Sequence, residues 1–395
     1  MLNRRLLRIK VMQSIYAFKQ NKLSNKELTL DVVKNEFRDE FLEFGQEEKA
    51  RIDEEQNKVI EYLNTVMDED KEDASTEGLD VKLLKIASNA KNHYTNLIAS
   101  SKRQFKISMV TETEELFTKY LKLLSYLIDI SELSNKELQR KLESNARQIE
   151  FDQKFTEWFY HNSAFKVLRE DDTLNDLLSG NKLRRGEDDE RVLEWLRILK
   201  RDGELQDAIE EIAQKGNDFE TQKEILRVIV RDFLFKNEII ESQFEGEDLN
   251  WSENKRILRS MVLKTVKNIS PDTGTEILSI SKNWEEDKEF FEDLYKYTLE
   301  QEGSFKEIIA KKSKKWAIDR IAKVDSILIN MALAEMLNFR NIPVKVTINE
   351  FIEISKQYST PKSWQFINGM LDSISEELEA EGKIKKSGKG LLDNK

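Results

Sequence analysis

The residues of this chain best suited to chemistry stand at its start: Arg4, Arg5, Arg8, Lys10 and Lys19, with one aromatic ring, Tyr16, among them. Seven Lys and Arg fall within the first 26 residues and no acid precedes Glu27, in a chain whose net charge is −11. Cationic side chains neutralise phosphates, and a ring beside them offers a face on which an unstacked base can lie. The pattern suits single-stranded RNA. An ordinary basic helix surface, with Tyr16 as a half-buried packing residue, explains the same letters. Other chemistries are poorly served. There is no cysteine, and His93 and His161 lack ligand-like spacing, so neither a zinc site nor a cysteine nucleophile is expected. No phosphate-binding loop, dinucleotide glycine fingerprint or His-based triad is present, and Asp188-Asp189 reads as a solvated pair in a charged loop. The expectation is a protein that is not an enzyme and needs no cofactor and no metal.

These residues need a helix to present them. Three prolines and thirteen glycines in 395 residues, with 35% charged and 39% hydrophobic content, predict an all-α fold of long helices. From an N-cap at Asn3, the first helix runs to about Gln20, with Leu7, Val11, Ile15 and Phe18 as its core stripe. Arg5, Arg8, Met12, Tyr16 and Lys19 form a stripe on the neighbouring face. Ser24-Asn25-Lys26-Glu27 and Ser134-Asn135-Lys136-Glu137 read as capping boxes that each open a further helix. Helices are expected over 81–110, 112–130, 135–160 and 190–214, with breaks at Ser179-Gly180-Asn181 and Gly216-Asn217. The stretch 318–339 suits a central buried helix that Pro343 ends. Thr347 to Glu350 reads as another capping box, and Thr360-Pro361 as a helix start. The last helix stops at Gly382, and the Lys- and Gly-rich tail 383–395 reads as flexible.

Charge is unevenly spread. Residues 36–80 hold seventeen acids against five bases, so this segment alone exceeds the negative charge of the chain. It peaks at residues 68–73, where a solvated linker is the plain reading and competition with RNA for the basic helix the functional one. A second basic cluster, Lys311, Lys312, Lys314, Lys315, Arg320 and Lys323, suits an exposed helix start. No apolar run is long enough to cross a bilayer, and the Arg-rich start keeps its helical period without a cleavage site of the transit-peptide kind, so a cytoplasmic location is expected.

The run Arg4-Arg5-Leu6-Leu7-Arg8-Ile9-Lys10-Val11-Met12-Gln13-Ser14-Ile15-Tyr16-Ala17-Phe18 resembles the opening of the NusB family of transcription antitermination factors. The far end resembles it too: Val324-Asp325 before an apolar helix, then Ile342-Pro343-Val344-Lys345 and Ile348-Asn349-Glu350, then Phe366-Ile367-Asn368-Gly369 and Leu371-Asp372. The likeness covers roughly the first 22 and the last 170 residues. It implies a NusB-like helical bundle of residues 1–24 and 221–382, a helical insertion over 25–220 that contains the acidic segment 36–80, and the tail 383–395. It also implies an RNA-binding factor for boxA-like single-stranded RNA of ribosomal RNA transcripts, acting with the ribosomal protein NusE on the RNA polymerase elongation complex. A second copy of the chain, as a homodimer, stands as a further partner. Carried onto matching positions, Arg4, Arg5, Arg8 and Lys10 contact phosphate, Tyr16 and Phe366 hold bases, and Asn349 and Asn368 fix helix ends and turns, while Lys19 joins the RNA-binding set from its place on the basic stripe. The family commonly has an acid and a histidine before Phe366, where this chain has Lys362-Ser363-Trp364-Gln365. NusB-like domains also occur fused to RNA cytosine methyltransferases, but such a module needs a cysteine. The remaining competitor is a helical protein–protein adaptor without specific RNA binding.

Overall fold

With few residues to break them, apolar positions recurring at three- and four-residue steps wind most of the chain into helix. The computed structural model describes residues 3–41, 46–69, 76–144, 147, 149–183, 190–312 and 321–394. Among them are sixteen α-helices and no strand, so the all-α expectation holds. In chain order these are α1 (Arg4–Phe41), α2 (Gln46–Glu69), α3 (Val81–Glu143), α4 (Glu150–Phe159), α5 (Ser163–Glu170), α6 (Asp172–Gly180), α7 (Glu190–Leu199) and α8 (Gly203–Ala213). Then follow α9 (Phe219–Val228), α10 (Glu238–Glu247), α11 (Trp251–Asn268), α12 (Trp284–Glu300), α13 (Glu302–Lys312), α14 (Lys323–Asn338), α15 (Val344–Tyr358) and α16 (Ser363–Ala380).

Contacts divide the chain into two units, one of Thr111–Trp284 and one of Arg4–Val110 with Glu285–Lys395. These boundaries describe packing, whereas the segments 1–24, 25–220, 221–382 and 383–395 describe family-like stretches of sequence. In the second unit α14 is the central element. Every residue from Ile327 to Met336 is buried, and α1, α13, α15 and α16 pack around it. The far half of α1 lies against α2 and the start of α3, where Val33, Phe37, Ile52, Val59, Leu63, Met67, Leu83 and Tyr94 share one cluster. Residues 36–80 therefore supply more than a solvated linker, because α2 has a buried apolar face beneath its acids. The peak at 68–73 lies largely outside the described residues, as do Asp188-Asp189 and Lys314, Lys315 and Arg320 of the second basic cluster. In the unit Thr111–Trp284, an aromatic core forms where Tyr126, Trp195, Phe244 and Trp251 stack and tilt against one another.

Three expected helix starts do not form where their letters stand. Ser24-Asn25-Lys26-Glu27 lies inside α1, where Asn25 is buried against Asn21 and Ser101 and Thr29 bonds back to the Asn25 carbonyl. Ser134-Asn135-Lys136-Glu137 lies inside α3, which runs through the expected break, and the Ser134 hydroxyl donates to the Ser131 carbonyl. Thr347 and Glu350 lie inside α15, which starts at Val344 after Pro343, and both reach other helices. The first two boxes have no Gly or Pro ahead of them to end the preceding turn, so their helices run on, whereas in the third Pro343 already opens α15 one turn before Thr347. The helix expected over 135–160 is split between α3 and α4, and that over 190–214 between α7 and α8, where Asp202 caps α8. The central helix starts at Lys323 rather than 318, and α16 starts at Ser363, two residues past Pro361. Asn349 and Asn368 sit within α15 and α16, and Asn368 donates to Asp372 one turn on rather than capping an end.

The tail is anchored at Lys386, Ser387 and Gly390. Ser387 N–H donates to the Arg340 carbonyl at 3.0 Å and Lys386 Nζ to that of Phe339. A Cβ on Gly390 would lie 2.0 Å from the Arg340 carbonyl oxygen, so only glycine permits this approach.

Candidate nucleic-acid interface

The basic start of the chain becomes the first turns of α1. Leu7, Val11 and Ile15 are fully buried and Phe18 is 6% exposed, so the apolar stripe faces the core as its spacing requires. Phe18 meets Phe105 edge-on, and the Ser14 hydroxyl donates to the Phe105 carbonyl. The neighbouring stripe does not remain on the surface. Arg8 is 2% exposed and Met12 4%, which leaves Arg5, Tyr16 and Lys19 as its outer members.

Arg8 is the main correction to the sequence reading. Its guanidinium forms a two-pronged pair with Glu335 of α14, Nε to Oε2 and Nη2 to Oε1, both at 2.7 Å. Glu335 is fully buried, and Thr347 Oγ1 of α15 donates to its Oε1 at 2.7 Å. The guanidinium carbon also lies 5.3 Å from the Phe290 ring centre and 5.9 Å from that of Phe351. A phosphate has no access to a group enclosed in this way. Arg8 is thus a positioning residue that fixes α1 on α14 and α15.

The other cations are paired but reachable. Arg5, whose side chain is 42% exposed, grips Glu350 with two hydrogen bonds of 2.8 Å, and these raise its pKa above the ordinary guanidinium value. Arg4 reaches Glu286 at 2.5 Å and Asp287 at 3.2 Å, with Phe290 beneath it, and Lys19 reaches Glu302 at 2.6 Å. Lys10 is half-buried. Tyr16 is 40% exposed and presents its ring outward from α1.

Phe366 sits half-buried on α16, which packs on the same two helices, α14 and α15, that carry α1. The turn before it is anchored from below, since the buried Asp325 carboxylate accepts hydrogen bonds from Ser359 and Ser363. On the outside of this turn Trp364 is 36% exposed, with Lys356 Nζ 5.4 Å from its ring centre. Sequence reading noted Trp364 only as a departure and missed Lys356, because its link to Trp364 depends on how α15 meets the turn. Among the described residues no cluster of His, Cys, Asp and Glu is arranged to hold a metal, and no helix is long and apolar enough to cross a membrane.

The NusB family model matches residues 253–376, a stretch that contains Glu335, Glu350, Trp364 and Phe366. The transcription antitermination protein NusB of Salinibacter ruber is 43% identical over 105 residues, 27% of this chain and 66% of that protein. Its namesake from Chloroherpeton thalassium is 48% identical over 85 residues, 22% of this chain and 40% of that one. The protein of that name from Koribacter versatilis is 40% identical over 101 residues, 26% of this chain but 69% of the relative. The chain belongs to the NusB family. No solved structure matches it. The NusB match begins far beyond α1, and the Arg8–Glu335 and Arg5–Glu350 pairs, with those of Arg4 and Lys19, tie the basic helix to the NusB-matched helices. Nothing in the match accounts for residues 25–252.

Proposed function

We propose that this chain is a transcription antitermination factor that binds a short, boxA-like single-stranded RNA together with NusE. The observation that carries this reading is the fixing of α1 onto α14 and α15 by Arg8 and Arg5, with Tyr16 left outward. Arg4, Arg5, Lys10 and Lys19 are the proposed phosphate contacts and Tyr16 and Phe366 the base-holding rings. Trp364 with Lys356 is a further candidate on the same unit. RNA phosphates would compete with Glu286, Glu350 and Glu302 for their cations, an exchange favoured by the charge density of the strand. In filter binding, boxA-like RNA is expected to bind more tightly than a scrambled strand. Its log affinity should fall against log salt with a slope of about −3 if four phosphates are neutralised on a single strand. Equal affinity for the two strands refutes the reading.

One observation favours a second reading, the protein–protein adaptor. Arg4, Arg5, Arg8 and Lys19 all already have carboxylate partners within the unit, so the face is less cationic than its letters suggest. An adaptor binds NusE and shows no salt-dependent RNA affinity.

A further inference from the structure

A second cationic surface lies in the unit Thr111–Trp284 and shares no residue with the set assigned above. Two clefts of about 550 and 570 Å3 meet at Leu263 of α11. One is bordered by Lys255, Arg256 and Arg259, the other by Arg227, Arg231, Lys264 and Lys267, with Lys223 beside them. Eight Lys and Arg thus line a continuous surface against two lining acids, Glu220 and Glu224, in a chain that is acidic as a whole. The fold brings them together because α11 packs on α9 and on the π-helical turn Ile229–Leu234, which carries Arg231.

Part of this charge is left uncompensated. Lys223, Arg227, Arg231 and Lys255 pair with Glu220, Glu224, Asp232 and Glu241. Arg256, Arg259 and Lys267 have no acid partner among the described residues. Arg259 is half-buried at the cleft wall, with its Nε enclosed and without a hydrogen-bond acceptor. Between Lys255 and Lys267 the helix advances by about 18 Å, long enough to follow several phosphates in succession.

We infer that this α9–α11 surface is a track for the RNA phosphate backbone, separate from the site on α1. Four of the lining cations are arginines, whose planar forks suit phosphate oxygens. Among the described residues no aromatic ring lines either cleft, so the track offers no stacking face there and reads no sequence. An acidic protein partner is disfavoured because, among the described residues, the lining offers only Leu263 and Val266 as apolar anchors, too little for the desolvated centre of a protein interface. A membrane surface is disfavoured by the same shortage of apolar groups to insert.

The test uses the full-length protein, a labelled twelve-residue oligouridine as probe, and the triple variant Arg256→Gln, Arg259→Gln, Lys267→Gln. Loss of three phosphate contacts should reduce the salt slope by about 2 and, from counterion release alone, lower affinity about a hundredfold at 0.1 M salt. Its preference for boxA-like over scrambled RNA should stay as in the parent. Oligouridine carries no boxA element, so failure of the α1 reading leaves this result intact. If the triple variant does not fold, Lys267→Gln alone, at an exposed position, should reduce the slope by about 0.7. Unchanged affinity and slope in the folded variants overturn the inference. So does a loss confined to phosphatidylserine vesicles while oligouridine binding persists.

Discussion

Arg8→Met should destabilise the protein by about 3–5 kcal/mol, the cost of leaving the Glu335 carboxylate buried without its partner. Both carboxylate oxygens of Glu335 accept from Arg8, and Thr347 supplies one further donor, which cannot replace a full positive charge. Glu335→Met should cost a comparable amount for the converse reason. The double variant should recover most of the loss, since two thioether side chains of similar bulk remove both charges at once. Urea unfolding of the four proteins gives the coupling directly. A small effect in both single variants means that Arg8 is not held as described, and returns it to the set of phosphate contacts.

Leu7→Ala should cost about 2–5 kcal/mol. Leu7 is fully buried on the same turn of α1 as Arg8, and removing its branched end leaves a cavity between α1 and the helices around α14. Arg5→Ala, one turn earlier on the exposed edge, should shift stability far less, because surface pairs contribute little even with good geometry. Urea midpoints for these two variants, compared at equal slope, check that the inner and outer faces of α1 are assigned correctly. Equal losses contradict the assignment.

How much of this was legible beforehand depended on whether a residue's partner is local. The apolar stripe Leu7, Val11, Ile15 and Phe18 follows from helical period alone and is buried as expected. The burial of Arg8 could not be read from α1, because its position on the helix edge is decided by Glu335, 327 residues away. One signal was available. A single Glu in the run Ile327 to Met336, otherwise made of apolar residues and one Asn, asks for a buried cation, and an arginine-rich helix is the obvious source. The capping boxes misled because their letters also suit interhelical hydrogen bonds, as Thr347 shows by bonding to Glu335 instead of opening a helix. Acidic composition hid the buried face of α2 for a related reason: Ile52, Val59, Leu63 and Met67 keep helical spacing beneath the charge. The cations of α9 and α11 are some thirty residues apart in sequence, and only the packing of the two helices makes them one surface.

The central claim is that RNA lies across the outer face of α1. Its most direct measurement is photocrosslinking of the full-length protein to boxA-like RNA carrying 4-thiouridine at successive positions, with the attached peptides mapped by mass spectrometry. The account predicts crosslinks at Tyr16 and at Phe366 or Trp364, competed away by unlabelled boxA-like RNA but not by a scrambled strand. An absence of crosslinks within residues 4–20 and 356–366, or crosslinks there that both competitors remove equally, contradicts it.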